Sequence, residues 1–255
     1  MASGPSACQD RDMGSPPYPA RLVAAVAALV LLPWFWLTEA IVPLDPVPPS
    51  LEATDAEFLA FYVENVARLP LSATLFVGQW VIVQVLVVSV IWAARARLGL
   101  TAFLAATLTT AATAIYAGAE GVRVWPVLAA DMSAEVLNDH LDPGLARSTV
   151  LSRDGLHAPA SVLLGLALLL TAWLLVTSAL WGRWVMSGLA VAAGGLALSS
   201  ILVGPEGLGP GLIFVLWGPV TAVCLLVGLR RGPSAPSAPS DEETSAPGPK
   251  LDQLA

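Results

Sequence analysis

Apolar residues dominate six long stretches of this chain, and shorter stretches with polar and charged residues separate them. A helix needs about 20 apolar residues to cross the hydrocarbon core of a bilayer, and most of the six stretches reach that length. Inside lipid, backbone polar groups must be hydrogen-bonded within their own segment, which makes each stretch a helix. The sequence therefore predicts an all-α transmembrane helix bundle with six spans, at residues 22–37, 71–94, 100–119, 160–180, 184–203 and 211–229.

The chain divides into three parts around these stretches. Residues 21–231 form the predicted membrane domain, whose loops are too short for a separate soluble domain. Residues 232–255 are rich in Pro, Ser and Ala, a composition that cannot bury a core and predicts disorder. We expect the tail at residues 1–20 to be disordered as well. The start of the first span resembles a signal peptide, but no small-x-small cleavage site follows promptly, so we expect it to remain as a span.

Basic residues predict the orientation in the membrane. The two tails, the connection between spans 2 and 3, and the connection between spans 4 and 5 carry more arginine than the opposite side. The side richer in positive charge is cytoplasmic. Both termini are then cytoplasmic, and the protein is placed in the cell membrane. The arginines that decide this are Arg21, Arg95, Arg97, Arg183, Arg230 and Arg231, against Arg68, Arg123, Arg147 and Arg153 on the outer side.

An amphipathic helix is predicted in the first outer segment. Thr54 and Glu57 have the spacing of a capping box, which opens a helix extending to about Arg68. Glu64 and Arg68 have the i,i+4 spacing of an ion pair. We expect the helix to cover its own bundle with its apolar face, and docking of a partner protein is the alternative. That face consists of Phe58, Phe61, Tyr62, Val66 and Leu69.

The second outer segment, residues 120–159, is the longest polar stretch before the tail. Asp131 is the predicted cap of a short helix, and Asp142 begins a turn that ends it. This segment also holds the only grouping of metal-ligand residue types: Asp139, His140, Asp142 and His157. The histidine spacing is not that of a zinc site, and we expect the two imidazoles to lie too far apart to share an ion.

Several functional classes are disfavoured by what the predicted spans lack. None has a Lys, Arg, Asp, Glu or His in its interior, so bis-histidine haem, proton relays and intramembrane proteases have no candidate residues. The sequence contains no P-loop pattern, and its net charge of -7 argues against binding nucleic acid. We assign no catalytic, cofactor-binding or metal-ligating residues and expect no cofactor.

Polar and small residues within the spans indicate helix packing. Gln79 and Gln84 in the second span are expected to make interhelical hydrogen bonds, and lining a permeation path is the alternative. The third span carries two series of small residues at i,i+4 spacing, which allow neighbouring helices to approach closely. We expect this helix to be central, with both series packed: Ala106, Thr110, Ala114 and Gly118, and Ala105, Thr109, Thr113 and Ala117.

The order of segments resembles an uncharacterised family of bacterial six-span membrane proteins, a domain of unknown function. The resemblance rests on a first span, an outer helix at residues 53–68, the paired spans around Trp181-Gly182-Arg183-Trp184, and a last span ending at Arg230-Arg231. It covers about residues 20–231 and implies the fold alone, since such families have no assigned catalytic residues.

The function predicted from these features is that of a non-enzymatic accessory or interaction protein in the membrane. Its partners are the lipid bilayer and another membrane protein, bound through the outer helix or the third span. The alternative is a small-molecule permease, or the membrane subunit of a transporter, with Gln79 and Gln84 facing a path. An enzyme at the outer surface would need acidic residues and a histidine that converge on one pocket.

Overall fold

The structure, a computed structural model, describes residues 18–41, 47–94, 99–203 and 213–231, and these residues contain helices and no strands. A short π-helical segment, Ile213–Trp217, leads directly into the last helix. The helices are α1 (Tyr18–Ile41), α2 (Asp55–Glu64), α3 (Arg68–Ala94), α4 (Leu100–Ala129), α5 (Ala134–His140), α6 (Pro143–Thr177), α7 (Arg183–Val203) and α8 (Gly218–Arg231).

Four of these helices are long and apolar enough to cross a membrane, namely α1, α3, α4 and α6. Two shorter apolar helices lie at Arg183–Ser199 and Gly218–Arg230, within α7 and α8. The tail at 232–255, most of the tail at 1–20, and Arg95 and Arg97 lie outside the described residues. The all-helical prediction is therefore confirmed for the described chain, and four of the predicted spans are present as helices of sufficient length.

The long helices pack in a sequence of neighbours. α1 lies against α3 and α8, α4 lies between α3 and α6, and α7 packs against α6. Most of the buried apolar side chains of these helices form one core, with small residues such as Ala24 and Ala28 on α1 and larger ones such as Leu86 and Leu168 on α3 and α6. Trp217 is fully buried, and its indole N–H donates to the carbonyl oxygen of Met186 on α7 at 3.1 Å.

Two helices extend well beyond the predicted spans. α4 continues ten residues past residue 119, and α6 begins at Pro143, 17 residues before the predicted start at residue 160. Asp142 caps the start of α6 by accepting the N–H of Leu145 at 2.9 Å. It therefore follows the short helix α5, as predicted, and also begins the long helix α6. The predicted cap at Asp131 is wrong: Ser133 caps α5, and Asp131 lies in the turn before it with φ of 51°.

The predicted capping box is confirmed, and it opens α2. The Thr54 hydroxyl accepts the N–H of Glu57, and the Glu57 carboxylate accepts the N–H of Thr54 at 2.6 Å. The Thr54 N–H and the Thr54 hydroxyl both donate to the Glu57 carboxylate, and these two hydrogen bonds lower the pKa of Glu57. α2 ends at Glu64, where the Asn65 side chain donates to the Phe61 carbonyl, and Arg68 begins α3. The helix therefore stops before Arg68, and the i,i+4 geometry predicted for the Glu64–Arg68 pair is absent.

The apolar face of α2 covers the chain's own helices, as expected. Phe58, Phe61 and Tyr62 are buried, and α2 packs against α5 and α6. They belong to a second apolar core, separate from the larger one, to which the end of α4 and the start of α6 also contribute. We call this region the cap: α2, α5, and the adjoining ends of α4 and α6. An ion pair of 3.2 Å between Arg147 and Asp55 also joins α6 to α2.

The two small-residue series of α4 have different surroundings. Ala105, Thr109 and Thr113 are buried, so this series packs against neighbouring helices as predicted. The other series is packed only at its start: Ala106 packs against the larger core, whereas Ala114 and Gly118 are exposed, and no atom lies within 4 Å of the position that a Gly118 Cβ would occupy. The prediction that both series are packed is wrong. They lie side by side on the helix, and the neighbouring helices leave the second series exposed at Ala114 and Gly118.

Exposure of the second series gives a direct test with two adjacent positions. We expect Thr113→Leu to destabilise the protein by on the order of 1 kcal/mol, because a larger side chain overpacks the buried face. Ala114→Leu at the exposed position should change the free energy of unfolding by less than about 0.5 kcal/mol. Unfolding titrations of both variants in mixed micelles measure the difference, and equal losses would contradict the assignment of buried and exposed faces.

Candidate functional site: a buried charged cluster

A cluster of charged side chains lies between α4 and α6, directly below the cap. At its centre is Glu120 of α4, whose side chain is only 2% exposed. Arg153 of α6 donates its Nε–H to Glu120 Oε1 at 2.8 Å, and Arg123 of α4 lies 3.5 Å from Oε2. His157 of α6 places Nε2 3.5 Å from Oε1. One buried carboxylate therefore faces two guanidinium groups and an imidazole.

Arg123 connects this cluster to other helices. Its side chain is 2% exposed, and NH1 lies 3.5 Å from the hydroxyl oxygen of Ser72 on α3. Its carbonyl oxygen accepts the hydroxyl hydrogen of Tyr62 on α2 at 2.9 Å, and the same hydroxyl lies 2.9 Å from Thr149 Oγ1 on α6. Burial raises the pKa of Tyr62, which keeps the hydroxyl protonated as a donor. The cap and three long helices are thus linked at this point.

Aromatic residues border the cluster on the side away from the cap. The rings of Trp80 on α3 and Tyr116 on α4 are stacked, with centroids 3.8 Å apart and an interplanar angle of 3°. The Tyr116 ring also contacts His157 edge to face at 5.3 Å. The Tyr116 hydroxyl lies 2.6 Å from Ser161 Oγ on α6. The imidazole therefore lies between a carboxylate and an aromatic pair.

Two exposed aromatic side chains help to locate the cluster along α4. Phe103 and Trp125 of α4 are 67% and 64% exposed. They are separated by about 33 Å of helical rise, close to the thickness of a hydrocarbon core of about 30 Å. Glu120 precedes Trp125 by about 7.5 Å of rise, on the side of Phe103. Glu120 therefore lies between these two exposed aromatic residues along α4, near the cap end of the helix.

The expectation that the predicted spans have no charged residue in their interior is not contradicted, but two of the helices carry charges beyond the predicted bounds. The expectation holds for residues 100–119, but α4 continues through Glu120 and Arg123. It also holds for residues 160–177, but α6 already contains Arg153 and His157. These charges do not end the helices because they pair with one another across the α4–α6 contact. Polarity alone places all four in the second outer segment, residues 120–159.

A signal for this cluster is present in the sequence. On α4 the polar groups Tyr116, Glu120 and Arg123 recur at i, i+4 and i+7, which places them on one face of a helix. On α6, Arg153, His157 and Ser161 recur at i, i+4 and i+8. A carboxylate in the stripe on α4 and a guanidinium in the stripe on α6 predict an ion pair between the two helices.

The charges of the cluster nearly balance. Asp154, whose side chain is 36% exposed, lies 3.4 Å from Arg153 and adds a second carboxylate. Glu120 and Asp154 thus offset Arg123 and Arg153. The Ser161 hydroxyl has Tyr116, not His157, as its hydrogen-bond partner. The arrangement suits electrostatic fixation of α4 to α6 or exchange of a proton at His157, and it does not activate Ser161 as a nucleophile.

The other candidate residues from the sequence lie in separate places. Gln79 is buried and accepts a hydrogen bond from the hydroxyl of Thr38 on α1 at 3.2 Å. Gln84 donates to the hydroxyl of Thr110 on α4 at 3.1 Å. The two amides therefore make the predicted interhelical hydrogen bonds, and they face different helices.

The residues considered for a metal site are also apart. His140 ends α5, while His157 lies 15 residues after Asp142 on the same continuous helix α6. That spacing corresponds to about 22 Å of helical rise between Asp142 and His157. Within the described ranges, no three His, Cys, Asp or Glu side chains are grouped so that they could hold a metal ion.

Comparison with protein-family models, with curated proteins and with solved structures finds no match for this chain.

Proposed function

We propose that this chain is a non-enzymatic six-span protein of the cell membrane that acts as an accessory to another membrane protein. Both termini lie in the cytoplasm, and α7 and α8 provide the fifth and sixth spans. The fold is the one implied by the resemblance to six-span bacterial membrane proteins. The observation that carries the proposal is the exposed small-residue face of α4, formed by Thr110, Ala114, Gly118 and Gly121.

Packing within the chain does not account for the small size of these residues. The Cβ positions of Gly118 and Gly121 have no atom within 4 Å. Glycine in a helix costs about 1 kcal/mol relative to alanine, and contact with lipid does not require it. A second transmembrane helix does require small residues, because they let the two backbones approach closely. The face is therefore suited to another helix.

Polar groups next to this face support the same proposal. Gln84 on α3 donates one amide hydrogen to Thr110, and this contact is exposed at the surface of the helices. An amide has two N–H donors and an accepting oxygen, so this contact uses only part of its capacity. In hydrocarbon the remaining groups gain from a polar partner on a neighbouring helix. A docked helix with a polar side chain at this level would supply one.

Photocrosslinking in native membranes tests the proposal. We expect a photoreactive amino acid at Ala114 to form one discrete protein adduct, because the partner helix lies against that position. The matched control places the same amino acid at Val191, an exposed apolar position on α7 that should give lipid adducts only. Gly118→Leu, introduced together with the probe, should remove the protein adduct by keeping the backbones apart.

Two results would contradict this function. One is the same set of adducts from Ala114 and Val191, which would mean that the α4 face contacts lipid alone. The other is an adduct with twice the mass of the chain, which would show self-association in place of docking to another protein.

A permease or transporter subunit is the second candidate, and the charged cluster favours it. Carboxylates and histidines inside membrane helices carry protons in many transporters, and Glu120 and His157 lie inside two long apolar helices. The permeation path suggested by Gln79 and Gln84 loses support, since each amide bonds to a different helix. Proton flux into liposomes that is lost in His157→Gln would favour this candidate over the accessory role.

A further inference from the structure

Two arginines, Arg21 of α1 and Arg230 of α8, lie at the end of the helices opposite the cap. α1 begins at this end, since the Trp34 indole further along it donates to a carbonyl oxygen near the start of α3, beside the cap. α8 ends here, since a Cβ at Gly228 would lie 3.4 Å from the Cβ of Trp181, which follows the end of α6. α1 and α8 pack against each other, so the arginines belong to neighbouring helix ends.

The two arginines also lie at similar levels along these helices. A Cβ at Gly218 on α8 would lie 3.9 Å from the carbonyl oxygen of Ala28 on α1, which places these two residues side by side. Arg21 precedes Ala28 by about 10.5 Å of helical rise, and Arg230 follows Gly218 by about 18 Å. The arginines are thus offset by about 7.5 Å along the helices, a distance that two long side chains can span.

Both side chains point to the outer surface of the α1–α8 pair. Contacts between neighbouring helices run from α1 through α3, α4, α6 and α7 to α8, so α3 and α7 lie behind this pair. At 100° per residue, Arg21 is about 140° around α1 from Trp34, which packs on α3. Arg230 is about 160° around α8 from Gly228, which packs on Trp181 before α7. The surface that carries both arginines therefore faces lipid in a bilayer.

Arg21 has a shielded donor without an acceptor. Its Nε atom is buried and has no hydrogen-bond partner within the part of the chain that the structure describes. Arg183, at the same end, differs: it donates to the carbonyl oxygen of Ser178 and lies over the ring of Trp184. Because a guanidinium that is removed from water needs acceptors for its hydrogens, Arg21 is suited to an anion.

The described helices offer no carboxylate at this end. Their Asp and Glu residues all lie toward the cap, so the anion that completes Arg21 comes from outside these helices. The ranges that contain no Asp or Glu are residues 18–38, 78–94, 100–119, 160–203 and 213–231.

Aromatic residues place the arginines at the level of the lipid headgroups. Tyr18, one turn before Arg21, is 64% exposed, and Trp181, beside Gly228, is 41% exposed. Tyrosine and tryptophan prefer the boundary between hydrocarbon and headgroups. The guanidinium groups therefore lie at the depth where a bilayer presents its phosphate groups.

We propose that Arg21 and Arg230 bind the phosphate of an anionic phospholipid, such as phosphatidylglycerol, on the outer surface of the α1–α8 pair. A guanidinium matches phosphate through parallel N–H···O hydrogen bonds, and Arg230 adds a second positive charge from the neighbouring helix. Phosphatidylethanolamine carries an ammonium group that the two arginines repel. This site requires a bilayer but not the α4 face described above, and its failure would leave the accessory role untouched.

Native mass spectrometry of the full chain, released from micelles with added lipid, tests the proposal. Phosphatidylglycerol and phosphatidylethanolamine with identical acyl chains are compared, and we expect a preference for phosphatidylglycerol of about fivefold for each arginine that acts on the headgroup. Arg230→Gln, at an exposed position that should retain the fold, should lower the preference by about fivefold. Arg21→Gln/Arg230→Gln should bring the two lipids to equal occupancy. The matched control is Arg183→Gln, which removes a charge at the same end and should keep the preference.

Three results would overturn the proposal: equal occupancy of the two lipids in the unmodified protein, an unchanged preference in Arg230→Gln, or an equal loss in Arg183→Gln. Inorganic phosphate without lipid should leave the thermal midpoint in detergent unchanged. A rise that disappears in the double variant would show a site for free phosphate and not for lipid.

The rival anion within the chain is the acidic run at residues 241–243 of the tail. Neutralising it with Asp241→Asn/Glu242→Gln/Glu243→Gln should leave the lipid preference unchanged. A marked increase in this variant would mean that the tail, and not a phospholipid, is the partner of the two arginines.

Discussion

Replacement of Glu120 by alanine should reduce the free energy of unfolding by about 3–5 kcal/mol, among the largest effects of any single substitution in this chain. Glu120 is the carboxylate that Arg123 and Arg153 share, and its side chain is 2% exposed. Its removal leaves the buried Arg123 and the partly buried Arg153 without that partner, in a region where water is a poor substitute. Unfolding titrations in mixed micelles measure the loss.

A matched control and a rescue separate this effect from a general loss of charge. Glu64 is an exposed glutamate at the end of α2, and Glu64→Ala should change stability by less than about 0.5 kcal/mol. The triple variant Glu120→Leu/Arg123→Met/Arg153→Met removes all three charges together. It should recover most of the stability, because an apolar replacement of a buried ion pair is often neutral or stabilising. A loss in the triple variant equal to the sum of the single losses would contradict the shared-carboxylate arrangement.

Local features were the most predictable part of the fold. The capping box of Thr54 and Glu57 depends on residues three apart, and the buried face of α2 follows from helical periodicity. Both predictions were correct because each depends only on residues that are close together in the chain. The end of α2 was not predicted, because an Asn65 side chain that caps the Phe61 carbonyl leaves little trace in a hydropathy pattern.

The candidate site could not be predicted from hydropathy because its charges compensate one another in space. Glu120 and Arg153 are each polar enough to suggest a loop, and only their contact across α4 and α6 makes burial tolerable. Hydropathy also fails to predict which of the two small-residue faces of α4 is buried. Thr113 and Ala114 belong to adjacent series of similar composition, and the burial of only one depends on where α3 and α6 lie.

The second large effect is expected at the crossing of α6 and α7, where two glycines bring the two backbones close together. Gly165 and Gly194 are both buried. A Cβ at Gly194 would lie 2.9 Å from the carbonyl oxygen of Gly165, and a Cβ at Gly165 would lie 2.9 Å from the carbonyl oxygen of Gly194. The atoms in the way belong to the backbone, which cannot rotate aside as a flexible side chain can. Glycine is therefore required on both helices by their distance.

Gly194→Val should destabilise the protein by about 2–3 kcal/mol, because the valine side chain forces α6 and α7 apart over their whole contact. The adjacent residue provides the control: Gly195 is exposed and has no atom within 4 Å of its Cβ position, so Gly195→Val changes the same residue type in the same helix without a clash. Valine has a higher helix propensity than glycine, and the control variant should be as stable as the original protein or slightly more so. Thermal unfolding in detergent compares the two. Equal midpoints would mean that α6 and α7 do not cross at Gly165 and Gly194.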